Sequence, residues 1–215
     1  MNTAILPAPL EHQFNELVTQ TIAHNLSESG FGRIGQSFHR RLGECVQVIN
    51  FQTAYGATDQ RLEFYINVGL AFDSICRLCR LPILERPKEH QCTVRGTRDR
   101  MESLLKGMPG TWEIGQDTDT DELAGRLVPL LGELSNEMDG IDGIEAYSSH
   151  RWFMRERPKR EIAQIQYLMK DYEAAWEEIR LLTRFFAGKG NASKSDWWLD
   201  RLGLGGLKMK AGSVS

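Results

Sequence analysis

FGRIGQSFHRRLGECVQVINFQTAYGATDQRLEFYINVGLAF, residues 31–72, decides the fold. In its last segment, RLEFYINVGLAF, Leu62, Phe64, Ile66, Val68 and Leu70 fall on one side of an extended chain. Glu63, Tyr65, Asn67 and Gly69 fall on the other. Such alternation suits an antiparallel strand with one face on a core. In the segment before it, CVQVINFQT, Ile49 and Phe51 share one side, and Val46, Val48, Asn50 and Gln52 share the other. The second side passes from apolar to polar, so one end is expected under a helix and the other in an open cleft. A strand over 31–41 interrupted by Gly32 and Gly35, a short turn at Leu42-Gly43-Glu44 and a loop over 55–60 complete three antiparallel strands.

Outward from this sheet the period changes to helical. Phe14, Leu17, Val18, Ile22 and Leu26 predict a helix over 9–28, closed near Ser29-Gly30. Residues 73–91 read as a helical turn and a loop, 91–95 as a short strand and 98–106 as a helical turn. Gly107-Met108-Pro109-Gly110 breaks the chain before a short strand around Trp112. A helix over 118–139, capped by Asp119 or Thr120, carries Leu123, Leu127, Leu130, Leu131, Leu134 and Met138. Pro129 inside it predicts a kink or break. Residues 140–147 read as turns, 159–186 as one long amphipathic helix, 188–195 as a linker and 208–215 as a mobile end. The Trp197-Trp198 pair is expected to dock as a short helix. The fold class is therefore α+β: a small antiparallel sheet packed by helices mainly on one face, with a C-terminal amphipathic helix. The division expected is an α+β domain over 1–147 and a helical extension over 148–215.

The 215 residues, 41% hydrophobic and 26% charged, suffice for a core without covalent staples. The net charge of -3 supplies no global field toward nucleic acid or an anionic membrane, so neither is the expected partner; a protein partner or a second copy of the chain is. Charge is uneven: 113–145 holds ten acidic residues against Arg126, and 151–160 holds five basic residues against Glu156. These stretches read as a solvated junction of opposite charges. MNTAILPAPLEHQ lacks a basic n-region and a long apolar run, so no secretory leader is expected, and no segment is apolar enough to span a membrane. Cys45, Cys76, Cys79 and Cys92 are then expected as reduced thiols in a cytoplasm.

Gly30, Phe31 and Phe38 at the first strand, Asn50-Phe51-Gln52 in the second, and Phe64, Asn67 and Gly69 in the third make the chain resemble a bacterial family called domain of unknown function 4304. Arg95 and Arg98 after the strands and the strand near Trp112 fit the same resemblance, which covers about residues 10–147 and stops before Ser148. It implies the fold and a bacterial, cytoplasmic setting. It implies no mechanism.

Asn50, Gln52 and Asn67 can face one side of the sheet. Mid-strand amides are poor strand formers, so a hydrogen-bonding duty is expected of them. Arg95 and Arg98, three residues apart, are suited to grip a carboxylate or phosphate. The five residues form the expected binding site, a cleft for a small anion or a peptide; the alternative is that the amides tie down loops and the arginines pair with the acidic helix. Cys76, Cys79, His90 and Cys92 offer soft ligands, but His90 and Cys92 are too closely spaced for a standard zinc finger. Buried thiols are the expectation, with no metal and no cofactor. Asp117, Asp119 and Asp121 lack the rest of a calcium loop, and no phosphate loop or nucleophile elbow is present. The reading is a non-catalytic binding or interaction module. Its rival is an enzyme acting on a phosphorylated or nucleic-acid substrate through His39, Arg40 and Arg41.

Overall fold

The computed structural model describes residues 8–55, 58, 60–92, 99–105, 107–150, 152 and 160–208. Arg95, Arg98, most of the basic stretch at 151–160 and the end at 209–215 lie outside the described residues.

Six strands among the described residues form one antiparallel sheet: β1 (Gly32–Ile34), β2 (Ser37–Leu42), β3 (Cys45–Thr53), β4 (Arg61–Phe72), β5 (Asp99–Arg100) and β6 (Trp112–Gly115). They run in the order β1-β2-β3-β4-β5, and β6 pairs with the start of β4. β3 and β4 are the strands expected. The single strand expected over 31–41 is instead a hairpin. Ile34 pairs with Ser37 across the two-residue turn Gly35-Gln36, and Gly35 has φ 60°, a left-handed conformation that only glycine adopts freely.

The chain enters the sheet from α1 (Ala8–Glu16), a π-helical segment (Leu17–Ile22) and α2 (Ala23–Glu28). Leu10, Phe14, Val18, Ile22 and Leu26 are all buried and recur every four residues. An α-helix turns about 100° per residue, so such a repeat drifts off one face by about 40° per step. The wider π turn absorbs the drift and keeps the stripe on the core. Phe14 meets Phe64 of β4 at 5.2 Å between ring centroids, and Phe38, Phe51, Phe64, Ile66 and Val68 are fully buried on this face, as the strand alternation predicts.

α3 (Asp73–Leu78) leaves β4, and a 3-10 turn (Glu89–Gln91) occupies the start of the strand expected over 91–95. α4 (Met101–Leu104) follows β5. α5 (Thr120–Asp139) is capped by Asp119, whose Oδ1 accepts from the backbone of Asp121 and Glu122. It runs through Pro129 unbroken. Pro129 and Gly125, whose carbonyl loses its donor, both face solvent, where water can replace the lost bond. The turns expected over 140–147 include α6 (Ile144–Ser149). The turn before β3 fixes both α3 and α6: Glu44 accepts from the backbone of Ser74 and of Ile144, a carboxylate shared by the positive ends of two helices.

The long helix expected over 159–186 is two: α7 (Arg160–Leu168) and α8 (Tyr172–Phe185). Lys170 adopts φ 67°, and Asp171 restarts the helix by accepting from Ala174 N at 3.1 Å. α9 (Ser195–Arg201) brings Trp198 into a second hydrophobic cluster with Ala163, Ala175, Ile179 and Leu182. Lys208 belongs to this folded part through an ion pair with Asp196. No helix among the described residues is long and apolar enough to cross a membrane.

Candidate functional site

The face of the sheet turned away from the first helix has two halves. Val46 and Val48 of β3 and Ala71 of β4 are buried under Cys92, just after the 3-10 turn. Close approach is possible because Gly69 of β4 has no side chain: a Cβ there would lie 2.5 Å from Cys92 Sγ and 3.1 Å from Cys92 Cβ. Gly69→Ala is therefore expected to cost roughly 1–3 kcal/mol through overpacking, and Cys92→Ala in the same chain to restore part of the loss. Chemical denaturation of the single and double variants checks this, and equal stability of the two would refute the contact.

The other half of the face is polar and reaches the surface at Gln52. Asn50 pairs in register with Asn67, and Gln52 with Tyr65. Asn67 Nδ2 donates to Gln52 Oε1 at 2.9 Å and to Asn50 Oδ1 at 3.3 Å; Asn50 Nδ2 donates to Ser37 Oγ at 2.9 Å. Asn67 is 9% exposed and Gln52 is on the surface. The three amides expected to share a face thus form one hydrogen-bonded ladder. Among the described residues, the amino group of Gln52 and the side-chain oxygen of Asn67 take no partner. Arg100, which the sequence reading did not single out, pairs in register with Asn67 and lies over the Tyr65 ring at 3.7 Å. Among the described residues its nearest carboxylate oxygen, on Glu102, is 3.7 Å away. The signal that could have found Arg100 is its place two residues after Arg98, in a strand too short to show a period.

His39, Arg40 and Arg41 do not converge. Arg40 lies on the core side, next to Phe38 in the alternation, and is buried. His39 and Arg41 lie on the opposite side. His39 Nε2 donates to Pro87 O at 2.9 Å, and Arg41 pairs with Asp73 at 3.1 Å. Burial holds His39 below the usual histidine range, against the smaller upward pull of the Pro87 carbonyl. A neutral, half-buried imidazole on a backbone oxygen orders the 81–88 loop.

Cys76, Cys79, His90 and Cys92 all border one cavity. Cys79 Sγ accepts from Gln164 Nε2 at 2.8 Å, and Cys92 Sγ donates to Lys88 O at 3.7 Å. Burial raises the Cys45, Cys76 and Cys79 thiols above the usual range, so they stay protonated and poorly nucleophilic. Among the described residues no three histidine, cysteine or acidic side chains are placed to hold a metal ion. Asp119, from the acidic triplet, serves as the helix cap already described.

An antiparallel sheet backed by helices, with a half-covered and half-polar second face, is the class of domain defined by this geometry. Residues 22–154 match the domain of unknown function DUF4304, and the chain belongs to that family. The match takes in the whole sheet and α5, and leaves α7 to α9 outside it. No curated protein and no solved structure matches the chain.

Proposed function

We propose that this chain is a non-catalytic binding module that receives a small anion on the open half of its sheet. The observation that carries this reading is the bridging amide of Asn67, which joins Asn50 and Gln52 side by side on the polar half-face. Two central strands give up apolar positions to build that ladder. It leaves the Gln52 amino group as a donor on the face where Arg100 stacks over Tyr65, the cross-strand neighbour of Gln52. Arg95 and Arg98 supply further charge in the proposal, since a carboxylate or phosphate gains most from donors converging on it. Asn50, Gln52 and Asn67 build the ladder, and Gly69 of the same strand as Asn67 makes room for the cover of the neighbouring half. In the same reading the binding domain is residues 1–147, residues 148–215 are a helical extension, and the setting is a bacterial cytoplasm, as four free thiols suit.

The test is an NMR titration of the labelled chain with inorganic phosphate and with acetate. Saturable shifts of the side-chain amides of Asn50, Gln52 and Asn67 are expected. Hydrogen bonds to a charged group are worth about 1.5–3 kcal/mol, so Arg98→Gln should weaken binding roughly tenfold or more while stability changes by less than about 0.5 kcal/mol. Absence of saturable shifts at these amides sinks the proposal. So does a Gln52→Leu variant that melts earlier yet binds as before.

A further inference from the structure

α8, which lies outside the family match, buries one side and leaves the other bare. Ala175, Glu178, Ile179 and Leu182 are buried on its inner side. On the outer side Glu173, Arg180 and Arg184 are exposed, and Glu177 is half-exposed. Leu181 and Phe185, one helical turn apart, are 40% and 52% exposed. The fold of a single chain thus leaves two large apolar side chains in water beside a row of charges.

The two rows are distinct. At about 100° per residue the four charged residues fall within an arc of about 60°, and Ala174, Leu181 and Phe185 within an adjoining arc of about 40°. The charged row is ordered by sign: Glu173 and Glu177 occupy the first half of the helix, Arg180 and Arg184 the second. Glu177 Oε2 holds Arg180 Nε at 3.0 Å, whereas Glu173 and Arg184 make no ion pair among the described residues. A row that is acidic at one end and basic at the other complements itself when reversed. Both like-charged pairs have the same spacing in the sequence. A second α8 laid antiparallel, with Glu173 opposite Arg184, therefore also brings Glu177 opposite Arg180. A twofold axis across the two helices keeps charged row beside charged row and apolar row beside apolar row. The same register sets Ala174, the small member of the apolar row, opposite the gap between Leu181 and Phe185 of the other copy. Charge and side-chain size select one register.

We propose that α8 is the interface of a symmetric dimer, packed antiparallel on α8 of a second copy of this chain. Leu181 and Phe185 close over Ala174, and Glu173 and Glu177 meet Arg184 and Arg180 across the axis. Flanking charges that set the partner and the direction of a helix pair work in this way in coiled coils. A single helix pair is a small contact, so the dimer forms and dissociates with concentration and is not obligate. Its ion pairs lie at the surface, so added salt weakens it. The interface uses no residue of the amide ladder, and it gives the C-terminal extension a role in assembly.

The experiment is sedimentation velocity of the full-length chain over a range of concentrations. The natural chain is expected to shift from monomer to dimer as concentration rises. Glu173→Arg and Arg184→Glu each set like charges against each other across the axis, so each should weaken the dimer by about tenfold or more. Leu181→Ser should weaken it without a change of charge. An equimolar mixture of the Glu173→Arg and Arg184→Glu chains should dimerise again, because the two reversed residues then face each other. The chain carrying both reversals should dimerise with itself for the same reason. Glu173 and Arg184 also suit the dipole of α8; losing that role would lower the melting temperature, but mixing two variants could not restore it. The proposal is overturned if the natural chain stays monomeric up to ~1 mM, the weak end of specific association. It is overturned equally if either single reversal dimerises as the natural chain does, or if the mixture of the two stays monomeric.

Discussion

Phe64→Ala is expected to lower the unfolding free energy by about 3–5 kcal/mol, the range for truncating a buried phenylalanine. Phe64 is fully buried at the crossing of three layers of contact. Its ring lies 5.2 Å from Phe14 of the first helix and 6.3 Å from Phe51 of the neighbouring strand. Its backbone is paired on both sides, with Thr53 of β3 and with Trp112 of β6, so the strand cannot readily move in to fill the space. For a chain of this size, each kcal/mol shifts the melting temperature by about 2–4 °C, which puts the drop at roughly 6–20 °C. Phe64→Leu, which keeps most of the volume, should lose much less. Thermal melting of the two variants checks the assignment. A Phe64→Ala protein that melts with the natural chain would remove Phe64 from the core and the alternation of β4 with it.

That alternation is why so much of the sheet was legible. β3 and β4 combine β-branched and aromatic residues, β4 with a period of two over Leu62–Leu70, and a one-residue error would put Phe51 and Phe64 on the wrong face. α5 was legible for the same kind of reason, through its leucine period and its aspartate cap. What could not be read were places where backbone geometry departs from the commonest residue signals. Lys170 takes a left-handed conformation without being glycine, so the apolar period seemed to run on from α7 into α8; only Asp171, a helix-starting residue, marked the break. The π turn between α1 and α2 leaves a helical pattern that looks regular until its period is measured. Gly35 was seen as an interruption, yet one glycine does not by itself distinguish a bulge from a reversal of the chain.

The amide ladder and the cavity bordered by the cysteines divide in the same way. The amide ladder was legible because it needs only strand alternation to place Asn50, Gln52 and Asn67 together. The cavity was not legible. Its walls come from α3, the 81–92 segment, α7 and α9, and no local period relates Cys79 to Gln164 or Leu84 to Arg201. The cysteines did draw notice as a spacing, but the spacing pointed to metal chemistry. Their shared surroundings, an apolar wall with arginines beside it, emerge only after the C-terminal helices fold back.

Arg40→Met is the second substitution expected to have a large effect, about 3–5 kcal/mol, in the range for removing one partner of a buried polar network. Arg40 is 8% exposed, on the core face of β2. Its Nε donates to Gln47 Oε1 at 2.9 Å, its Nη1 to Ser29 O at 2.8 Å, and its Nη2 to Ser135 O at 3.2 Å; the guanidinium lies 4.4 Å from the Phe31 ring centroid. Gln47 extends the network by donating to Met138 O and Ile141 O. The carbonyls of Ser29, Ser135 and Met138 sit at or near the C-terminal ends of α2 and α5, where the helix dipole is negative. One cation therefore closes two helices against the sheet. Arg40 also pairs with Asp139 at 2.6 Å, and the two contributions can be separated by magnitude. Asp139 is 56% exposed, so water screens the pair, and Asp139→Asn should lose only about 0.2–1 kcal/mol. The acceptors on Gln47 and Ser135 are buried and have no such recourse, and each that loses a donor costs about 1–3 kcal/mol. Arg40→Lys should also lose substantially, since a single ammonium cannot reach Gln47, Ser29 and Ser135 in one plane. Denaturant unfolding of the three variants gives the order: Asp139→Asn nearest the natural chain, then Arg40→Lys, then Arg40→Met. If Asp139→Asn loses as much as Arg40→Met, the ion pair rather than the helix closure is what Arg40 contributes.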